Sequence, residues 1–493
     1  MEVGRKENGS AKSFGFSNEV KSQMAGTAEF IRFSATEIRE LIGRKEISPS
    51  EVIESSLTQI ERYNKKINAV VTISEQALDD ARKLEREASK SGKMGLLHGL
   101  PAGIKDVTPV AGLRTTYGSL LYKDNIPNED ALVVQRLRAA GSIILGKTNT
   151  PEFATGANTF NDVFGCTRNP WDSRLSVGGS TGGGAAALVT GMISLAEGTD
   201  LGGSLRIPAS FCGVVGLRPS PGLIPTYPSD YLWDNMQVTG PMARTAEDVA
   251  LMLQACSGPS PLSPMCQPTE GRDFVAAVRK GVKGLRVAYC RSISGISIDE
   301  EVEAICRKAA FELAQAGAVV EEVNLDLSAD SKSYASIRSF WMVAQQYHRL
   351  DKVEEFGVNL KGNVKAGLKL SMEELGAAEQ ARGKMWHTFY TFFQKYDIVL
   401  TPCVAVPPFP VEQNYPETIG GRKMNTYMDW VAQTFILSLT GLPCGCVPAG
   451  LNKDNLPVGL EIIGRPRDEE TVLALAKQVQ SACPVGLPSL SGF

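Results

Sequence analysis

Histidine is scarce in this chain of 493 residues, which contains only His98, His348 and His387. None of the three stands in a sequence context typical of a Ser-His-Asp triad. The G-x-S-x-G elbow of α/β-hydrolases is also missing around the two serines that lie in glycine-rich segments. If a serine acts as a nucleophile here, a residue other than histidine is expected to accept its proton.

Three further absences narrow the class of protein. No apolar run reaches the roughly 18 residues that a membrane helix needs, so no membrane association is predicted. The 51 basic and 54 acidic residues give a net charge of -3, which offers no reason to expect direct binding of nucleic acid. The ten cysteines form no C-x-x-C pair, which predicts buried, reduced thiols, no bound metal and a cytoplasmic location. No cofactor is predicted.

The patterning that is present predicts an α/β fold. Capping boxes at Ser34-x-x-Glu37 and Ser48-x-x-Glu51 begin amphipathic helices, and from residue 100 short strands alternate with helices. We therefore expect a large mixed, mostly buried β-sheet covered by helices on both faces. Residues 1–28 are predicted to be a flexible tail and 29–493 a single domain. Within it, the aromatic, helical stretch 326–396 is a candidate lid.

One nucleotide-binding motif is rejected. Residues 141–148, Gly-Ser-Ile-Ile-Leu-Gly-Lys-Thr, satisfy the phosphate-loop pattern. That chemistry requires a flexible loop whose backbone N–H groups surround the phosphates, followed at once by a helix. Ile143, Ile144 and Leu145 instead indicate a buried strand, so no phosphate site is predicted.

Two glycine-rich segments each contain one serine, Ser180 in residues 178–184 and Ser204 in residues 198–204. Consecutive glycines allow the backbone to bend sharply and allow a substrate to approach main-chain N–H groups. The N–H groups of Leu201, Gly202 and Gly203 could converge on the oxyanion that forms during acyl transfer. A pair of tight turns is the structural alternative.

Lys105 is the candidate base. It follows the small apolar run Leu100-Pro-Ala-Gly-Ile104, which indicates the end of a strand. Burial at such a position can lower the pKa of a lysine by up to about 3–5 units. A neutral lysine is then an effective base near pH 7.

Taken together, these motifs resemble the amidase signature family across roughly residues 30–482. The resemblance is carried by Gly99-Leu-Pro-Ala-Gly-Ile-Lys-Asp106, by residues 178–183, and by the signature Gly198-Thr-Asp-Leu-Gly-Gly-Ser-Leu-Arg-Ile-Pro-Ala-Ser-Phe-Cys-Gly213. The flanking Gly216-Leu-Arg-Pro219 and Gly240-Pro-Met-Ala-Arg-Thr245 agree with it. In character the chain is most similar to bacterial aryl acylamidases and general amidases.

The resemblance implies a Ser-cisSer-Lys triad. Ser204 matches the nucleophile, Ser180 matches the serine that follows a cis peptide bond, and Lys105 matches the base. The remaining residues expected to support this triad or its oxyanion site are Thr199, Asp200, Arg206 and Thr181. The chain departs from the family pattern at Val177, Thr181 and Gly184, where proline, serine and serine are usual; the Thr181 hydroxyl can keep a supporting hydrogen bond.

The substrate is less closely specified than the chemistry. Ile207 stands where the glutaminyl subunits of tRNA-dependent amidotransferases usually carry glutamine, which favours an apolar group. Gly156, Ile207 and Trp341 are the candidate pocket residues. The sequence thus predicts hydrolysis of aryl or small hydrophobic amides such as anilides, with esters as side substrates. The alternative functions are a glutaminase subunit of a tRNA-dependent amidotransferase and a catalytically inactive scaffold. The sequence does not distinguish a monomer from a homodimer.

Overall fold

A mixed sheet of eleven strands runs through the part of the chain that the computed structural model describes, residues 30–491. Its strands in chain order are β1 Val70–Ile73, β2 Pro101–Lys105, β3 Ile143–Thr148, β4 Leu195–Asp200, β5 Val215–Arg218, β6 Val238–Ala243, β7 Arg286–Tyr289, β8 Val319–Glu322, β9 Ile398–Pro402, β10 Cys444–Leu451 and β11 Pro457–Gly464. Their order across the sheet is β1-β3-β2-β4-β6-β5-β10-β11-β9-β7-β8.

Parallel and antiparallel pairing occur in the same sheet. Strands β3, β2 and β4 are mutually parallel, as are β9, β7 and β8. In the stretch of the sheet that runs from β4 through β6, β5, β10 and β11 to β9, each strand is antiparallel to the next. The central strands are buried except at the end of β10, because their residues are nearly all apolar or small and helices cover both faces. The predicted α/β class is confirmed.

Fifteen α-helices lie within the described range. They are α1 Ala35–Gly43, α2 Pro49–Ile67, α3 Ala77–Ser91, α4 Leu132–Ala139, α5 Gly182–Val189, α6 Arg206–Cys212, α7 Ala246–Cys256, α8 Phe274–Ala277, α9 Glu300–Glu312, α10 Ser331–Gln345, α11 Val358–Gly367, α12 Met372–Lys395, α13 Tyr427–Trp430, α14 Ala432–Ser438 and α15 Glu469–Ala482. Short 3-10 helices span Phe30–Arg32, Leu120–Tyr122, Glu152–Ala154, Leu313–Ala316, Ser328–Asp330 and Tyr347–Glu355. Two-stranded ladders pair Phe160–Asn161 with Gly165–Cys166, Arg168–Asn169 with Asp172–Ser176, and Thr418–Ile419 with Arg422–Lys423.

The local predictions agree with these elements. Both expected capping boxes are present, because the hydroxyls of Ser34 and Ser48 accept the N–H of Glu37 and Glu51, whose carboxylates accept the serine N–H groups. Residues 326–396 are almost entirely helical, as expected. The rejected phosphate-loop motif contains strand β3, whose lysine is buried.

The predicted tail, residues 1–28, lies outside the described residues. No helix between residues 30 and 491 is long and apolar enough to cross a membrane. All ten cysteines are free thiols. Within the described chain, no group of three or more His, Cys, Asp or Glu side chains could hold a metal ion.

Candidate active site

Lys105 is the last residue of strand β2 and its side chain is fully buried. Its Nζ donates hydrogen bonds to Ser180 Oγ at 2.7 Å, Thr199 Oγ1 at 2.9 Å and Thr181 Oγ1 at 3.0 Å. Strand β4, parallel to β2, contributes Thr199, and the loop before α5 contributes the other two hydroxyls. With the Thr199 carbonyl at 3.5 Å, four neutral oxygens and no carboxylate surround the amine at hydrogen-bond distance.

The electrostatics of this position favour the neutral amine. Burial lowers the pKa of Lys105 to about 7, against the opposing charges of Glu197 and Asp200. Near neutral pH a large fraction of the lysine can thus accept a proton, as the sequence predicted for a buried lysine at a strand end.

Ser180 and Ser204 approach this lysine from two loops. The peptide bond between Gly179 and Ser180 is cis, as the resemblance implied, and Ser180 is fully buried. Ser204 lies between the end of β4 and the start of α6 and is half-buried. Its hydroxyl makes no hydrogen bond with any residue that the structure describes, Ser180 included. The two loops are joined instead through the backbone, since Thr181 N–H donates to Ser204 C=O at 3.1 Å.

A buried ionic network fixes the loop that carries Ser204. Arg206 donates to both carboxylate oxygens of Asp200, at 2.8 and 3.0 Å, and to Glu461 at 2.5 Å. Arg218 also faces Asp200. Burial alone would raise the pKa of Asp200, but the two guanidinium groups and the hydrogen bonds outweigh it and hold that pKa below its ordinary value. Asp200 and Arg206 thus hold the loop in shape and do not reach the amine of Lys105 by a hydrogen bond.

The backbone N–H groups of the loop differ in their availability. The N–H of Gly203 donates to Asp200 Oδ1 at 2.8 Å, so the structure does not leave it for an oxyanion, contrary to the expectation from the sequence. The N–H groups of Leu201 and Gly202, and also that of Ser204, have no acceptor among residues 30–491. Gly203 has φ +119°, and a Cβ there would lie 2.3 Å from Thr434 Oγ1, so the position requires glycine.

Two cavities lie near the loop. The first, here called the aromatic cavity, has a volume of about 230 Å³; its walls include Tyr117, Phe153, Tyr227, Trp341 and the site residue Thr199. The second, the α10–α11 cavity, has a volume of about 700 Å³ and lies between those helices and residues 414–435. Tyr334 on its wall donates to the carbonyl of Leu201 at 3.2 Å.

Of the three predicted pocket residues, Trp341 lines the aromatic cavity, whereas Gly156 and Ile207 lie on the wall of neither of these two cavities. The indole Nε1 of Trp341 donates to Asp234 at 2.7 Å. Gly156 is buried against Pro151 and Asn359 and is on neither wall. Ile207 points into the core beside Gly178 and Gly203, because helix α6 turns its side chain away from the solvent. The argument from Ile207 to an apolar substrate therefore loses its geometric basis.

Several residues at the site were missed by the sequence analysis. Tyr334 stacks on Phe435 with ring centres 4.2 Å apart, and this pair packs against Gly202. Thr434 donates to the carbonyl of Gly202 at 2.8 Å. The aromatic residues that begin near Tyr334 were the sequence signal that could have identified this part of the site. Local patterns did not show that Tyr334 contacts the loop at Leu201, 133 residues away in the chain.

Comparisons with known proteins identify the family of this chain. Residues 51–473 match the model of the Amidase family. An acylamidase of Rhodococcus erythropolis is 37% identical over 461 residues, which is 92% of this chain and 95% of that protein. A glutamyl-tRNA(Gln) amidotransferase subunit of Geobacillus kaustophilus is 34% identical, over 91% of this chain and 97% of that protein.

Solved structures give the same result for the fold. A bacterial aryl acylamidase of the amidase signature family superposes with a TM-score of 0.84 at 28% identity, over 91% of this chain and 96% of its own. A 6-aminohexanoate cyclic dimer hydrolase superposes with a TM-score of 0.80 at 28% identity, over 94% and 98%. The chain belongs to the amidase signature family and is an amidohydrolase of that family.

Proposed function

We propose that this protein hydrolyses carboxamides through an acyl-enzyme on Ser204, with Lys105 as the base and Ser180 as the proton relay. The observation that carries the proposal is the environment of Lys105. Its amine is fully buried, has a pKa lowered to about 7, and lies 2.7 Å from Ser180 Oγ on the loop bonded to Ser204. Such a group accepts protons near neutral pH without histidine.

In the proposed reaction these three side chains act in sequence. Neutral Lys105 takes the proton of Ser180, which takes the proton of Ser204 as its Oγ attacks the carbonyl carbon of the substrate. The N–H groups of Leu201 and Gly202 stabilise the oxyanion, because neither has an acceptor within the described chain. The relay then returns the proton to the departing amine, and water hydrolyses the ester on Ser204. Thr181 and Thr199 hold the amine of Lys105 in place.

Aryl or small hydrophobic amides, anilides among them, are the proposed substrates, with ester hydrolysis as a side activity. Support comes from the rings of Tyr117, Phe153 and Trp341 on the wall that also contains Thr199. The similarity to an acylamidase along nearly the whole of both chains agrees with it. Location in the cytoplasm stays a prediction of the sequence.

Helices α10 to α12 are proposed as a cover over the site, in a single domain that begins near residue 29. Tyr334 and Trp341 both lie on α10, and each lines one of the two cavities. Movement of this segment relative to the sheet would open both cavities together.

The proposal is tested with a panel of p-nitroanilides and anilides assayed with the wild type, with Ser204→Ala and with Ser481→Ala as a control on the exposed face of α15. We expect turnover by the wild type and the control and none by Ser204→Ala. An acyl adduct on Ser204 in rapidly quenched samples, detected by mass spectrometry, would identify the nucleophile. Full activity of Ser204→Ala would refute the assignment.

A glutaminase subunit is the second candidate function. It is favoured by the amidotransferase subunits that are 32% to 34% identical to this chain over about nine-tenths of its length. Ammonia release from glutamine by the wild type, with no hydrolysis of anilides, would support this candidate and contradict the first one.

A further inference from the structure

Arg338 on helix α10 is buried without an acidic partner. Its side chain is only 6% exposed, yet it forms no ion pair with any residue between 30 and 491. The fully buried Arg206 and Arg218 differ in this respect, since both face the carboxylate of Asp200. A buried guanidinium is ordinarily matched by an anion, because its desolvation is costly.

Two neutral side chains orient this guanidinium. Arg338 Nη1 donates to Asn363 Oδ1, and Nη2 donates to Tyr427 Oη at 2.5 Å, so these bonds engage only two of the five N–H groups of an arginine. Asn363 Nδ2 also donates to Tyr427 Oη, at 3.1 Å. Because the phenol oxygen accepts both bonds, its own proton points elsewhere, and no acceptor for it lies in the described chain. Arg338 and Tyr427 therefore present unused donors side by side.

The residues that carry these donors belong to the wall of the α10–α11 cavity. Arg338, Asn363 and Tyr427 all line it, and its volume of about 700 Å³ is large enough for a small organic molecule. The same cavity reaches the proposed nucleophile loop through Tyr334 and Phe435, which pack against Gly202 two residues before Ser204. A ligand held at Arg338 would therefore reach Ser204 by passing this aromatic pair.

The charged groups on the cavity wall are mostly cationic. Lys332 and Arg422 line it together with Arg338, and both are exposed. The one acidic residue on the described wall is Asp429, whose carboxylate accepts the N–H groups of Asn425 and Thr426. Because these bonds satisfy Asp429 locally, the balance of charge favours an anionic ligand.

We propose that Arg338 and Tyr427 bind a carboxylate carried by the amide substrate, so that the preferred substrates are anionic amides. This proposal rests on the proposed amidase function and narrows it. The carboxylate lies in the α10–α11 cavity, the scissile carbonyl lies at Ser204, and the aromatic cavity takes the apolar part. The guanidinium keeps three unused N–H groups, and a planar guanidinium matches a carboxylate in geometry as well as in charge.

The test compares matched substrates that differ by one carboxylate. On the acyl side, the mono-p-nitroanilide of glutaric acid is compared with the p-nitroanilide of valeric acid. On the amine side, 4-acetamidobenzoate is compared with acetanilide. The wild type is expected to prefer the anionic member of one pair by roughly 10- to 100-fold in kcat/KM, mainly through KM. The pair that shows the preference identifies which side of the amide bears the carboxylate.

Variants assign the preference to its residues. In Arg338→Met and in Tyr427→Phe, the ratio of kcat/KM for the anionic substrate to kcat/KM for the neutral substrate should fall toward one. In Arg338→Lys, which keeps the positive charge, the ratio should lie between one and the wild-type value. Arg174→Met removes an exposed cation that does not line this cavity, and it should keep the full ratio. Turnover of the neutral member and the thermal unfolding curve report whether each variant is folded.

Two outcomes would overturn the proposal: a wild-type ratio near one or below it in both pairs, or a preference that survives in Arg338→Met. Binding measured by calorimetry on Ser204→Ala distinguishes failure of the anion-site proposal from failure of the proposed amidase function. One result is that the anionic anilide binds to Ser204→Ala but not to Ser204→Ala/Arg338→Met, while the wild type hydrolyses no substrate. In that case the anion site stands and the amidase proposal fails. If only neutral amides bind and react, the amidase proposal stands and the anion site is wrong.

Discussion

The backbone N–H of Lys105 donates a hydrogen bond to the carboxylate of Glu197, with the two atoms 3.1 Å apart. The residues lie on the adjacent parallel strands β2 and β4, and Thr108 donates to the other carboxylate oxygen at 3.0 Å. Burial lowers the pKa of Lys105, whereas negative charge on Glu197 raises it. The basicity of the proposed base therefore depends on a buried neighbour that does not touch its amine.

Replacement of Glu197 by glutamine should move the pH profile of the reaction. Loss of the negative charge removes an influence that raises the pKa of Lys105, so the acid limb of kcat/KM should shift to lower pH. The measurement is the profile of kcat/KM with a neutral anilide. Thr108→Val removes the hydrogen bond to Glu197 without changing the charge of the carboxylate, and it should shift the limb less. A limb that stays in place in Glu197→Gln would show that Glu197 is uncharged in the folded enzyme.

The wild-type enzyme should lose activity as the pH falls through about 7. Below that pH Lys105 is protonated and cannot accept the proton of Ser180, so kcat/KM should fall about tenfold per pH unit. Above it the neutral amine predominates and the profile should level off. Initial rates between about pH 5 and 9 with an uncharged substrate test this sign. A profile that is flat across this range would remove Lys105 from the role of base.

Each of the two threonines beside the amine should be sensitive to loss of its hydroxyl group. Thr181→Val and Thr199→Val each delete one hydrogen bond to Lys105, and kcat should fall by roughly 3- to 10-fold in each case, as expected for a bond of about 1 kcal/mol. Thr181→Ser keeps the hydroxyl, so its kcat should stay close to that of the wild type. Equal losses in Thr181→Ser and Thr181→Val would indicate that the methyl group, and not the hydroxyl, is what matters.

Removal of Arg206 should destabilise the fold. Its guanidinium bonds to Asp200 and Glu461, and all three side chains are fully buried. Arg206→Met leaves two buried carboxyl groups without their main partner, and the free energy of unfolding should fall by about 3–5 kcal/mol. Urea denaturation measures the loss. Arg174→Met, which breaks the exposed pair with Asp172, is the matched control and should leave the unfolding midpoint unchanged.

Much of the fold could be predicted because the signals are local. The capping boxes at Ser34 and Ser48 depend on residues three positions apart, and the phosphate-loop motif was rejected because Ile143 to Leu145 has the composition of a buried strand. The burial of Lys105 also followed from its position after a short apolar run. The order of the eleven strands was not predicted, since pairing between distant segments leaves little trace in a single sequence.

The site was predicted less evenly. Motifs identified Lys105, Ser180 and Ser204, but the direction in which a group points depends on its neighbours in space. The N–H of Gly203 was expected to face an oxyanion, and it bonds to Asp200 instead. Ile207 was expected on a pocket wall, and helix α6 turns it into the core.

The sequence by itself determined the class of chemistry, through the scarcity of histidine, the two glycine-rich serine loops and a lysine at the end of an apolar strand. Only the tertiary structure decided what surrounds these groups. The Thr199 hydroxyl reaches Lys105 across 94 residues because β2 and β4 are neighbours in the sheet, and the Tyr427 hydroxyl reaches Arg338 across 89 residues. Hydrogen bonds act over about 3 Å, so their partners are fixed by packing between distant segments and not by spacing along the chain.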